Sequence, residues 1–140
     1  MRVVFLTLTA MLILAVPASA AVALTINAFP GTAHIGDNIV LNGTVTGTTT
    51  IAVFLFLTGD NLDTRGVALD NLNIPAGRGM FTTAPVRIPD RLWTYTWDTS
   101  AIAGTLKPGN YTVYVVDRPV DRLRFVRPEY ATAAIEFLPA

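Results

Sequence analysis

Few residues in this chain are equipped for covalent chemistry. Its 140 residues include one histidine, His34, and no cysteine, and serine occurs only at Ser19 and Ser100. A nucleophilic mechanism needs a base beside the nucleophile, so the one arrangement that can be drawn is Ser100 with His34 and an aspartate. Ser100 follows Trp97, Asp98 and Thr99 where a strand runs into a turn. Serine is ordinary there, and His34 reads as an exposed loop residue. Without cysteine, thiol catalysis and cysteine-zinc sites are excluded, and one histidine does not assemble a zinc site. Glu129 and Glu136 are the only glutamates, and the acids are scattered over turns rather than paired for glycoside hydrolysis. The expectation is a chain without catalytic residues, cofactor or resident metal.

Weaker chemistry remains. Asp60, Asp63 and Asp70 lie with Asn61 in or beside one loop, and extracellular loops hold calcium through carboxylates and carbonyls. Their spacing is not that of an EF-hand, and Arg65 brings a cation, so a solvated turn is the competing reading. Residues 118–127 hold four arginines, interleaved with prolines and bordered by Asp117 and Asp121, which reads as a loop of local ion pairs rather than an anion-binding patch. Asn42-Gly43-Thr44 and Asn110-Tyr111-Thr112 are glycosylation sequons, and both fall at exposed positions, Asn42 on the wet face of its strand and Asn110 at the end of a turn.

The elements that position these residues are strands. Residues 1–20 have a basic start at Arg2, an apolar run over 3–16 and the small-residue exit Ala18, Ser19, Ala20, the pattern of a secretory signal cleaved before Ala21. The run is shorter than a bilayer span, and no second one follows, so no transmembrane anchor is expected after cleavage. Residues 21–140 are expected to form one domain with nine basic residues against ten acidic ones, a balance that points away from nucleic acid. A cysteine-free exported domain must be stable by packing alone.

Short β-branched and aromatic runs separated by Gly, Pro, Asn and Asp predict an all-β, immunoglobulin-like β-sandwich of about seven to eight strands. Strands are expected over 22–29, 39–46, 51–57, 67–74, 79–88, 93–98, 111–116 and 131–138. Trp93, Tyr95 and Trp97 alternate with Thr94, Thr96 and Asp98 and belong in the core. Tyr111, directly after the turn at 107–110, fits the tyrosine that bonds back to a corner in immunoglobulin-like folds. The run 51–57 is apolar on both faces. With Val53, Leu55 and Leu57 on one side and Phe54 and Phe56 on the other, one set fills the core and the other seeks a partner. Tyr114, opposite Tyr111, is expected to be the exposed ring.

The order of several segments resembles a family. Residues 93–100 (Trp-Thr-Tyr-Thr-Trp-Asp-Thr-Ser) precede residues 106–122 (Leu-Lys-Pro-Gly-Asn-Tyr-Thr-Val-Tyr-Val-Val-Asp-Arg-Pro-Val-Asp-Arg). With residues 36–43, 56–62 and 130–132, they resemble an extracellular β-sandwich domain of surface-layer-type proteins of methanogenic archaea. That resemblance implies a cell-surface domain, often repeated in longer proteins with a C-terminal anchor, a form from which this chain departs by showing one domain and no anchor.

Together these readings predict a secreted, envelope-associated, non-enzymatic domain of an archaeal surface layer, sheath, filament or adhesive assembly. Its partners would be other surface subunits or copies of itself, with Phe54, Phe56 and Tyr114 as the candidate interface. A secreted carbohydrate- or ligand-binding module is the rival, with glycans as the partner.

Overall fold

The computed structural model describes residues 21–77, 81–124 and 130–140. The expected signal segment lies outside them, as do the first residues of the strand predicted over 79–88 and most of the basic connection before residue 130. In chain order the strands are β1 (Ala23–Leu24), β2 (Asn27–Phe29), β3 (Thr32–His34), β4 (Asn38–Thr46), β5 (Ala52–Gly59), β6 (Thr82–Arg87), β7 (Leu92–Asp98), β8 (Gly109–Val116) and β9 (Tyr130–Leu138). Single 3-10 turns sit at Thr99–Ala101 and Arg122–Arg124.

These strands form an immunoglobulin-like sandwich from one curled ladder. In the first sheet β1 and β2 pair with β4, and β4 pairs with β7; in the second the order is β5, β8, β9, β3. β6 joins the two, because Thr82 to Pro85 pair with β5 while Val86 and Arg87 pair with β7. Among the described residues there are nine strands rather than seven or eight. The extra count arises at the N-terminus, where the expected single strand over 22–29 divides into β1 and β2 and a further strand, β3, follows Pro30 and Gly31. β2 runs antiparallel to β4, whereas β3 runs parallel to β9, so the Pro-Gly pair marks a crossing between sheets. The N-terminal strands are thus used within this chain. Residues 67–74 do not form a strand and are held by isolated bridges, Leu57 to Val67, Val67 to Pro75 and Asn71 to Ala103.

Alternation decides which side chains enter the core. Ile39, Leu41 and Val45 of β4 face inward, as do Trp93 and Trp97 of β7, Tyr111, Val113 and Val115 of β8, and Ile135 and Phe137 of β9. An aromatic chain clamps the two sheets: Trp97 meets Phe137 edge-on at 5.6 Å, and Phe137 meets Tyr111 at 5.7 Å. Where antibody domains place a disulfide between sheets, this cysteine-free chain has three rings in T-shaped contact. The polar ends are satisfied, since Trp97 Nε1 donates to the Leu69 carbonyl at 2.7 Å and Tyr111 Oη donates to the Lys107 carbonyl at 2.6 Å. The second bond closes a tyrosine corner between β7 and β8. Burial pushes the Tyr111 hydroxyl pKa upward.

Candidate functional site

The outward side of the second sheet is aromatic. Phe54 and Phe56 of β5, Tyr114 and Val116 of β8 and Tyr130 of β9 stand in neighbouring rows, because Phe54 pairs with Val116, Phe56 with Tyr114 and Val116 with Tyr130. Phe56 and Tyr114 stack at 5.0 Å with rings 8° from parallel, and Tyr114 lies 5.8 Å from Tyr130. Phe81 adds an edge contact to Phe54 at 5.9 Å.

The chain covers part of this face itself. Residues 60–77 fold back over β5, where Leu57 and Val67 exchange backbone hydrogen bonds at 2.9 and 2.8 Å and Ala76 donates to Gly66 at 2.8 Å. Gly66 has φ +96° and lies so close to the Phe56 ring that any side chain would collide with it. Phe56 is consequently 0% exposed and forms a small second core with Ala76 and Val116. This corrects one expectation: Phe56 is no surface residue, because the following segment supplies its partner. Phe54 and Tyr114 remain half-buried. Tyr130 is 40% exposed and Leu123 is 62% exposed.

Beside the cover lies an open trough of about 350 Å³, lined by Thr58, Asp60, Asn110, Thr112, Tyr114 and Arg122 among others. Arg122 donates from Nε to Tyr114 Oη at 3.3 Å. On the rim, Arg65 grips Asp63 twice, Nε to Oδ1 at 3.0 Å and Nη2 to Oδ2 at 2.9 Å, and also donates its backbone N–H to Oδ1. Those hydrogen bonds lower the Asp63 pKa from 3.8 to about 2. The trough offers hydroxyls, an amide, a carboxylate and a guanidinium, which suits a polar ligand. Its aromatic ring is already stacked on Phe56 and is not laid open for a sugar face.

The outward side of the first sheet differs. Asn42 pairs across β4 with Asn27 on one side and Thr94 on the other. A neutral trough of about 300 Å³ lies there, lined by Thr25, Asn27, Asn42, Thr44, Leu92 and Thr94 together with Gly43 and Trp93. Thr25 Oγ1 lies 2.8 Å from Thr44 Oγ1 and accepts the Thr44 backbone N–H at 2.8 Å. Asn110, the other sequon asparagine, is exposed at the start of β8 opposite Glu136.

The remaining candidates are dispersed. Ser100 Oγ donates to Asp98 at 2.6 Å, while His34 Nδ1 lies 3.9 Å from Asp37 and makes no hydrogen bond to Ser100. Asp60, Asp63 and Asp70 are not brought together, and among the described residues no three acidic, histidine or cysteine side chains converge. Asp63 is committed to Arg65, and Asp70 lies by Tyr95 instead, helping burial to raise that phenol's pKa. Trp93 and Trp97 are core residues, each 1% exposed. The sequence reading missed Asp117 and Asp121, which are 8% and 3% exposed rather than solvated. Their only signal was position beside an apolar strand end. It also missed Phe81, whose role depends on a fold-back that no local pattern reveals.

No family model matches this chain, and no curated protein matches it. Among solved structures it is similar to the CARDB domain of a Pyrococcus furiosus protein in complex with di-metal ions, at 11% identity over 89% of this chain and 100% of that one, with a TM-score of 0.43. It is also similar to an engineered protein, at 15% identity over 88% of this chain and 21% of that one, with a TM-score of 0.40. From its strand order, register and core, this chain is an all-β, immunoglobulin-like sandwich.

Proposed function

We propose that this chain is a non-enzymatic, exported structural or interaction domain of a cell envelope, in keeping with its resemblance to archaeal surface-layer-type domains. The observation that carries the reading is the incompletely covered aromatic face of the second sheet. Phe56 is buried, but Phe54 and Tyr114 of the same face stay half-buried, Tyr130 beside Tyr114 is 40% exposed, and Leu123, next in the chain to the Arg122 that bonds Tyr114, is 62% exposed. A contiguous apolar face left partly open is a docking feature. A copy of this chain or another envelope subunit would meet that margin. The test is sedimentation of the protein from residue 21 onward over a wide concentration range, with and without Tyr130→Asp and Leu123→Asp. Self-association weakened at least tenfold by either variant supports the reading. A monomer at every concentration that also recovers no subunit from solubilised envelope would sink it.

One observation favours a second reading, a ligand-binding module. The trough of about 350 Å³ gathers Asn110, Tyr114 and Arg122 with Asp60 at an open edge. A glycan array with wild type and a Tyr114→Ala, Arg122→Ala double variant tests it, and a blank array retires it.

A further inference from the structure

We propose that Asn42 is the acceptor of an N-linked glycan whose first sugar lies in the neutral trough of the first sheet. The inference rests on the export reading above, since the acceptor sequon is used on exported chains.

Two features separate Asn42 from the other sequon. Asn42 is exposed at the centre of β4, with its side chain directed away from the core and Asn27 and Thr94 as its cross-strand neighbours. The trough around it contains hydroxyls, amides and the Leu92 side chain but no charged group, which matches the hydroxyl edges and apolar faces of a sugar ring. Its volume of about 300 Å³ is at the small end of the roughly 300–1,000 Å³ typical of small-molecule sites, the size for one ring. Asn110 instead borders Asp60 and Arg122, and the next residue, Tyr111, is locked into the core by its bond to Lys107.

In the transfer, the amide nitrogen of Asn42 bonds to the anomeric carbon of a sugar activated on a lipid phosphate. The anomeric carbon–oxygen bond breaks, the lipid phosphate leaves with the electron pair, and one amide proton passes to a base of the membrane transferase. Nothing is oxidised or reduced. In the folded chain the sequon is held extended between β2 and β7, and Thr25 bonds both the hydroxyl and the N–H of Thr44, so transfer precedes folding. The sheet then closes with the sugar already in place.

The experiment is intact mass spectrometry of wild type, Asn42→Gln and Asn110→Gln purified from the cells that naturally make the protein. Wild type should exceed its polypeptide mass by whole sugars, and the Asn42→Gln variant should lose an increment that Asn110→Gln retains. An unmodified Asn42 on a chain beginning at Ala21 would overturn the inference while leaving export standing, whereas an unmodified chain beginning at Met1 would overturn both. The seat has its own test. Wild type should melt about 3 °C above Asn42→Gln when both come from these cells, the shift of roughly one net hydrogen bond's worth of stability. That gap should vanish when both come from cells lacking the transferase, and a gap that persists there would overturn the seat.

Discussion

The two outer faces of the sandwich are built from strands of similar length and opposite chemistry. On the first sheet, β4 and β7 present Asn38, Asn42, Thr94, Thr96 and Asp98 to water, with Leu92 and the half-buried Val40 and Thr44 among them. On the second, β5 and β8 present Phe54, Phe56, Tyr114 and Val116, and Gly66 and Ala76 close over Phe56 while Phe54 and Tyr114 stay half-buried. A sheet face rich in aromatic rings thus becomes a second core, and the chain must supply a lid or a partner for whatever its own lid misses.

The sharpest way to break this comparison is to truncate one side chain on each face. Phe56→Ala removes a fully buried side chain stacked on Tyr114 and pressed by Gly66, and should cost about 3–5 kcal/mol in urea unfolding. Thr96→Ala on the first face should change stability by no more than about 0.5 kcal/mol. A Phe56→Ala cost below about 1 kcal/mol would mean that residues 60–77 merely lie on β5.

A smaller loss is expected where the polar face depends on close backbone approach. A Cβ on residue 43 would overlap the Thr25 carbonyl and lie 3.0 Å from Trp93 Nε1. That carbonyl has turned over Gly43, and Thr25 Oγ1 serves the Thr44 N–H in its place. Gly43→Ala should therefore cost about 1–3 kcal/mol and loosen the join of β1 and β2 to β4. Hydrogen exchange at the Thr25 amide, which donates to Thr44 O at 3.0 Å, reads this directly. Unchanged exchange would show that the edge strand yields without strain.

The contrast between faces was half legible in the sequence. Strict alternation in β4, β7 and β8 marks their inner sets, because a strand with one wet face has no other stable pattern. The apolar run in β5 correctly announces a strand covered on both sides. What closes its outer side was hidden: Gly66 and Ala76 pack on Phe56, while Val67, Leu69 and Leu72 of the same stretch join the main core, and none follows a period, since single bridges and turns, not a strand, hold them. β3 was invisible for a related reason, as three residues around a small alanine show no alternation. At the candidate sites, the exposure of Asn42 could be read from strand parity and that of Asn110 from the turn before β8. The troughs beside them could not, since they form from strands distant in sequence.

Acid should loosen the fastening of the lid, with the smallest of these effects. Asp63 and Arg65 fasten the stretch that leads to Gly66 and so to the lid over Phe56, whereas on the first face the titrating group is Asp98 at the end of β7, whose pKa the hydrogen bonds from Ser100 also lower. Hydrogen bonding to Arg65 puts the folded-state pKa of Asp63 at about 2, against 3.8 ordinarily. The native state therefore releases this proton more readily than the unfolded chain does. Its stabilisation is complete above about pH 4 and is lost as the pH falls from there through about 2. Both side chains are partly exposed, 32% for Asp63 and 37% for Arg65, so water and salt screen the pair. Wild type should melt slightly above Asp63→Asn at pH 6 in low salt, and the two curves should converge near pH 2. The gap should also shrink in about 1 M salt, where the screening length is near 3 Å. A gap that stayed constant down to pH 2 would show that the carboxylate charge does not hold the lid, leaving backbone bonds such as those between Leu57 and Val67 to do so.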